Sequence, residues 1–433
     1  MEVLWKSHGL FCHGMVCYCM TDKGGKEYAL KDCWVTEEKR MHEATILEMI
    51  KGIPNVVQLV DHWDVYYDGE PDCTACIHSQ YHPHNRDDLL FCNRFHRRIL
   101  LSPCRQPLSK FSSRRELLTA FHAFVVAHRM MIENRVLHGD LSPNNFIIHE
   151  GIGYFIDFDH ASILVEGTSS TYSHGTGTMP YILIHILQAM LDLVPHGVNT
   201  DVTDQDVHLN HMNSIEDSQD INTDTELIEH QPSDDLESLF YIFFEFIAKY
   251  GGPHGQLAPM WSQQALPWVS AYEALGKADT HLALSTICFA KMGVLMQGRF
   301  FVARTSEYFA EFRPIVQEWG SIVYCANGPK NQVEMTHAGV LDVLDKYMQS
   351  LDTEQPFSGR PQSPRSSITV SQNPHPRTGH PPPLAGPSEP LPRRSTCLIT
   401  SLALHPPICS AGPSEPLSPC RLKQKKHQRT KLS

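Results

Sequence analysis

Over the first 110 residues apolar and polar positions alternate in short runs separated by turn residues, which predicts a strand-rich region. Glu27 to Val35 is one such strand, with Ala29 and Lys31 on one face and Tyr28 and Leu30 on the other. Thr36 to Ile50 breaks the rhythm and predicts a helix. Glu43, Ile46, Leu47 and Ile50 recur at i, i+3, i+4 and i+7, so the Glu43 carboxylate lies on the apolar, inward side. Thr36 is its expected N-cap, Glu37 and Glu38 suit the positive end of the dipole, and Gly52 and Pro54 end it. Beyond Phe111 the period becomes helical. Ser113 and Glu116 have capping-box spacing, and Leu117, Phe121, Phe124 and Val125 then share a face. The longest apolar run, Leu236 to Ala248, is interrupted by Glu237, Ser238 and Glu245. It is too short and too polar to span a bilayer and predicts a buried helix. Trp261 and Trp268 are expected to fill the core of this helical part.

Composition divides the 433-residue chain further. Leu191 to Asp235 contains no Lys or Arg while Asp and Glu accumulate, so 191–233 reads as a solvated acidic insertion. Residues 351–433 are rich in Pro, Ser and Arg. They repeat Ala-Gly-Pro-Ser-Glu-Pro-Leu at Ala385–Leu391 and Ala411–Leu417, and read as a disordered tail. The tail's basic end, Arg421 to Lys431, suits nuclear import or an anionic partner, or simply solubilises the tail. A formal net charge of −12 argues against general nucleic-acid binding by the folded part. No leader-like or membrane-spanning stretch is present, and the 13 cysteines follow no disulfide rhythm. The expectation is an intracellular protein with reduced thiols, cytoplasmic or nuclear, without a membrane partner.

The strongest chemical signal is His138-Gly139-Asp140-Leu141-Ser142-Pro143-Asn144-Asn145, followed by Tyr154-Phe155-Ile156-Asp157-Phe158-Asp159. Between them Phe146–Ile148, a turn with Gly151 and Gly153, and Tyr154–Ile156 predict an antiparallel hairpin. Such a hairpin brings the residue before its first strand beside the residue after its second. Asn145 and Asp157 therefore meet at one end, next to Asp140, and this oxygen-donor set suits Mg²⁺. Cys73-x-x-Cys76 with His78, His82 and His84 offers zinc-type ligands, but a second cysteine pair is missing. A loop with chance thiols is the better reading.

These segments match the protein-kinase catalytic and metal loops, H-R-D-x-x-x-x-N and D-F-G. Together with a Gly-Thr segment (Gly175–Thr178) and Asp234-Asp235-Leu236-Glu237-Ser238-Leu239-Phe240-Tyr241, their wording resembles the fungal-type protein kinases from about Leu4 to about Tyr347, excluding the acidic insertion. The resemblance implies an α+β, two-lobed protein-kinase-like fold, with an N-lobe over 1–107 and a C-lobe over 108–350. It implies ATP and Mg²⁺ as cofactors and protein Ser or Thr as acceptor. Asp140 would orient the acceptor hydroxyl and take its proton. Asn145 and Asp157 would bind the metal, and Lys31, paired with Glu43, would reach the α- and β-phosphates. Glu48 is a less well placed partner for Lys31. Ala29 would lie over the adenine, and Gly9, Gly14 and Val16 would belong to the loop over the phosphates, with Phe11 in place of its middle glycine. His138 and Asp235 would support the catalytic loop, although an aspartate before a helix also reads as an N-cap.

The chain departs from the kinase pattern at several positions. Gly139 stands for the usual arginine, Ser142 for the lysine and Asp159 for the last glycine of the metal loop. His185 stands where kinases carry a glutamate that anchors the activation segment, so that segment is expected to be loosely held. Two other readings share some of these motifs: a small-molecule phosphotransferase of the aminoglycoside- or choline-kinase type, and a pseudokinase scaffold. The Gly-Thr segment argues against the first. The presence of Lys31, Asp140, Asn145 and Asp157 together argues against the second.

Overall fold

The computed structural model describes residues 2–6, 14–76, 92–164, 170–172, 178–193, 228–259, 261–262, 266–270, 280–328 and 333–352. Gly9, Phe11, His78, His82, His84, Gly175 to Gly177, most of the acidic insertion and nearly all of the tail lie outside the described residues. The insertion's margins are structured: residues 191–193 end a helix, and 228–230 and 232 onward belong to a strand and a helix.

The N-terminal part is sheet-rich. β1 (Glu2–Lys6), β2 (Val16–Thr21), β3 (Glu27–Thr36), β4 (Gln58–Asp64) and β7 (Arg94–Ser102) form an antiparallel sheet of order β1-β2-β3-β7-β4. Two-residue strands β5 (Tyr66–Tyr67) and β6 (Glu70–Pro71) make a small hairpin beside it. Helix α1 spans His42–Met49, later than the expected start at Thr36. Thr36 instead ends β3, paired with Arg94, because a full ladder against β7 satisfies its backbone better than a helix N-terminus would. The expected face does point inward: Glu43, Ile46, Leu47 and Ile50 are all buried.

The C-terminal part is helical. α2 (Arg114–Glu133) starts at Ser113, whose Oγ accepts from Glu116 N at 3.1 Å. The return bond of the capping box goes to the amide of Ser112 rather than of Ser113. Leu117, Phe121, Phe124 and Val125 are fully buried. β8 (Gln106–Pro107) precedes this helix, and the short strands β9 (Val136–Leu137), β10 (Phe146–His149), β11 (Ile152–Phe155), β12 (Ser162–Ile163) and β13 (Ser170–Tyr172) follow it. α3 (Ile184–Leu193), β14 (Ile228–His230) and α4 (Pro232–Lys249) come next. α5 (Thr280–Met296), α6 (Arg299–Arg304), α7 (Arg313–Asn327) and α8 (His337–Asp352) complete the order. Sheet content early and helix content late are compatible with the kinase-like fold.

α4 is the axis of the helical part, buried from Asp234 to Ala248. Phe243 packs edge-on against Phe121 of α2 (5.0 Å between centroids) and lies tilted against Trp319 of α7 (5.6 Å). Phe244 meets Phe301 of α6 at 4.8 Å. Each such ring contributes about 1.5–3 kcal/mol by burial, so this helix is set by packing. No helix among the described residues is long and apolar enough to cross a membrane. Trp268 is fully buried, as expected. Trp261 is only half-buried, with Lys249 Nζ 5.8 Å above its ring.

Candidate active site

The predicted hairpin is β10–β11. Its turn is Glu150–Gly151, both with positive φ (52° and 78°), the geometry that matches the twist of two-residue hairpins. Gly153 lies in β11, not in the turn. A Cβ there would stand 2.6 Å from Phe124 Cζ, so its missing side chain lets α2 close onto the hairpin. At the open end Ile156 N donates to Asn145 O at 2.9 Å, which brings Asn145 and Asp157 together as expected. Asn55 and Val57, in the strap after α1, bond the backbone of Gly153 and Phe155. This ties α1 to the hairpin.

One ammonium joins the two regions. Lys31 Nζ of β3 donates to Glu43 Oε2 of α1 at 2.8 Å and to Asp157 Oδ1 at 2.6 Å, and its side chain is only 7% exposed. Burial alone would lower its pKa, but Asp157 and Glu43, with Asp159 farther off, hold it well above the ordinary lysine value. Burial pushes the Glu43 carboxyl upward against the pull of Lys31. The other Glu43 oxygen accepts from Phe158 N at 3.3 Å. Glu48 plays no part, being exposed and paired with Lys51. Asp157 itself has φ 69°, a left-handed conformation that costs a non-glycine residue about 1 kcal/mol or more and is held by these partners.

Asp140 is half-buried and its Oδ1 accepts from Thr178 Oγ1 at 2.9 Å. Burial raises its pKa, aided by Asp159 and opposed by His160, the Thr178 bond and His138. Ser142 caps the turn Pro143–Asn145 and its hydroxyl donates to Asn145 Oδ1, fixing that amide's orientation. Asn145 and Asp157 offer only oxygen. Among the described residues no three His, Cys, Asp or Glu side chains cluster as a metal site. A cation held by one or two protein oxygens plus nucleotide phosphates, the usual Mg²⁺ arrangement, fits this donor set.

Asp235 lies in the first turn of α4 but is not its N-cap. Gln231 is, and Asp234 completes the capping box by accepting from Gln231 N at 2.8 Å. Asp235 instead accepts from the amides of His138 (3.0 Å) and Gly139 (3.2 Å) and from His128 Nε2 (3.0 Å). His138 is fully buried, its Nε2 donates to Ile156 O at 3.2 Å, and its ring packs on Phe158 at 4.8 Å. Ala29 is half-buried in β3, opposite Cys19 and Leu101. Gly14 has φ 55° and lies against Trp34, and Val16 begins β2. Cys73 and Cys76 place their sulfurs 3.1 Å apart, and no described cysteine is in a disulfide.

Several residues that hold this site escaped the motif reading. His128 is the third donor to Asp235. His42 Nε2 and Lys39 Nζ reach the carbonyls of Ala161 (2.7 Å) and Asp159 (3.2 Å), tying α1 to the stretch after Asp157. Glu237, Ser238 and Glu245 of α4 and Lys291 of α5 bond the stretch Tyr181–Ile184. The signal for the residues of α4 and α5 was present: they are polar interruptions of apolar helical runs, and a buried polar group needs a partner. The family model described as Fungal protein kinase matches residues 1–247, more than half of the chain. No curated protein matches it.

Proposed function

The chain belongs to the fungal protein kinase family, and from that premise we propose an ATP- and Mg²⁺-dependent protein kinase that phosphorylates Ser and Thr of proteins. In this reading residues 1–107 form an N-lobe, 108–350 a C-lobe, and the site lies between them. The carrying observation is Lys31 bonded at once to Glu43 and Asp157, with Asp140 and Asn145 on the loop beside them. In this reading Lys31, held by Glu43, binds the α- and β-phosphates, and Asn145 and Asp157 hold the metal. Mg²⁺ supplies charge neutralisation on the phosphates when bound.

Asp140 does the proton work. Thr178 fixes one of its oxygens, the carboxylate orients the acceptor hydroxyl, and its burial-raised pKa makes it a better proton acceptor than an exposed aspartate. Ala29 and, from the sequence, Gly9, Gly14 and Val16 line the nucleotide side. An aliphatic hydroxyl is favoured because the loop after Asp140 reads Leu-Ser-Pro-Asn, without the Ala-Ala-Arg pattern of tyrosine kinases.

The test is Asp140→Asn assayed with labelled ATP and a Ser/Thr/Tyr peptide library. ATP affinity should persist while peptide phosphorylation falls about 100-fold, on the order of 3 kcal/mol of barrier. Transfer by the wild type only to choline- or sugar-like acceptors would replace this reading with a small-molecule phosphotransferase. ATP binding without transfer to any acceptor would replace it with a scaffold.

A further inference from the structure

In the fold that the motifs suggest, position 185 should carry the acid that anchors the segment facing the acceptor. His185 does not do this. Its side chain is 43% exposed, and its nearest charged partner is Asp234, 3.5 Å away. The segment is nevertheless held at several of its backbone groups. Tyr181 N donates to Thr178 O at 2.8 Å, and Ser238 Oγ donates to Tyr181 O at 2.9 Å. Lys291 Nζ donates to Ile182 O, and Ile184 N donates to Glu237 Oε1 at 3.3 Å. The Tyr181 hydroxyl donates to Glu245. Glu237 is itself fixed by Tyr241 OH at 2.9 Å and Asn327 Nδ2 at 2.7 Å. At the other end of this short run, Thr178 Oγ1 bonds Asp140.

We propose that Lys291, Glu237 and Ser238 are positioning residues for the acceptor side of the site, holding Thr178–Ile184 and through Thr178 the orientation of Asp140. The inference rests on the kinase reading for its kinetic consequence, but not for the anchor itself. The physical case is the cost of the alternative. Lys291 is wholly buried on α5, with its ammonium 3.9 Å from the centre of the Tyr241 ring. A lysine enclosed this way is expensive unless its site uses it. Burial brings its pKa down to about 7, against Glu237 and Cys288. The group keeps a donor for Ile182 O in either protonation state, so the contact needs no full charge. Glu237 and Ser238 sit two and three residues beyond Asp235, which grips the catalytic loop. One helix end thus bonds both the loop that carries Asp140 and the segment that carries Thr178. Nothing in this arrangement touches Lys31, Glu43 or Asp157, so the nucleotide side should not feel its loss.

The experiment compares the full-length wild type with Lys291→Met, which keeps the side-chain length but removes the donor, and with the milder Ser238→Ala. ATP-induced thermal shift, KM for ATP, KM and kcat for a peptide found with the wild type, and amide exchange by mass spectrometry are measured. The expected result is a peptide kcat/KM lowered about tenfold or more with the ATP parameters within about twofold. Exchange should speed up within 178–184 and not around Lys31 or Asp157. Equal losses on the ATP and peptide sides, or a lower melting temperature with both kinetic constants intact, would overturn the proposal. If Lys291→Met does not fold, the same criteria applied to Ser238→Ala decide. If the wild type phosphorylates no peptide, the kinase reading has failed. The anchor then stands or falls on whether faster exchange is confined to 178–184.

Discussion

Asp235→Asn tests the link between the central helix and the loop of His138 and Gly139 with almost no change in shape. The carboxylate is 3% exposed and accepts from three donors, the amides of His138 and Gly139 and the ring of His128. An asparagine keeps one accepting oxygen, but its NH₂ faces a donor and the negative charge is gone. Breaking a buried charged cluster from one side costs about 3–5 kcal/mol, a large part of the roughly 5–15 kcal/mol that holds a domain folded. Urea unfolding at pH 7 should show this loss as a lower midpoint with an unchanged slope. The same site has a pH signature. Burial pushes the Asp235 carboxyl up, but the bond and charge of His128, the charge of His138 and the Gly139 amide outweigh it and hold the pKa below its ordinary value. A depressed carboxylate stabilises fully above its unfolded pKa of about 3.9 and loses that contribution as pH falls toward the folded value. Below about pH 4 the wild type should therefore lose stability more steeply than Asp235→Asn. A variant within about 1 kcal/mol of the wild type, with the same acid limb, would refute the claim that this carboxylate holds the loop.

Two further predictions concern packing and charge. Gly153→Ala places a methyl 2.6 Å from Phe124 Cζ and 2.9 Å from Ala120 Cβ, so it should destabilise by about 1–3 kcal/mol in thermal melts; an unchanged melting temperature would mean that α2 does not pack this closely on the hairpin. His185→Glu brings a carboxylate toward Asp234 and should cost about 1–2 kcal/mol in urea unfolding; a gain in stability would restore position 185 as the anchor.

The legible part of the site was carried by local pattern. A hairpin fixes which residues share its open end, so Asn145 and Asp157 could be placed together from spacing alone. Helical spacing turned Glu43 inward, where Lys31 meets it. The misplaced start of α1 shows what local pattern lacks. Thr36 looks like an N-cap beside Glu37 and Glu38, but its strand partner Arg94 is far along the chain, and the ladder to β7 decides its conformation. Asp235 bonds the amides of His138 and Gly139, while its reading as an N-cap belongs to its neighbours Gln231 and Asp234. Glu237, Ser238 and Lys291 were visible as polar interruptions of apolar helices. Their partners, the carbonyls and amide of Tyr181 to Ile184, could not be named without the packing of α4 and α5.

The departures from the kinase pattern become intelligible together. Gly139 has φ 72°, a conformation glycine adopts freely but one that would cost an arginine about 1–2 kcal/mol. Asp159, by contrast, has no positive φ, so nothing in the backbone there requires the glycine it replaces. Its carbonyl receives Lys39 from the foot of α1. Ser142, in the place of a lysine, orients the Asn145 amide through its hydroxyl. Where the common pattern uses a cation beside the catalytic aspartate, this loop is held through the amide of Gly139 by Asp235, and Asp140 by Thr178. Those contacts are hydrogen bonds to fixed protein groups, and none needs a phosphate to form. On the proposed function, the central helix sets this loop through Asp235.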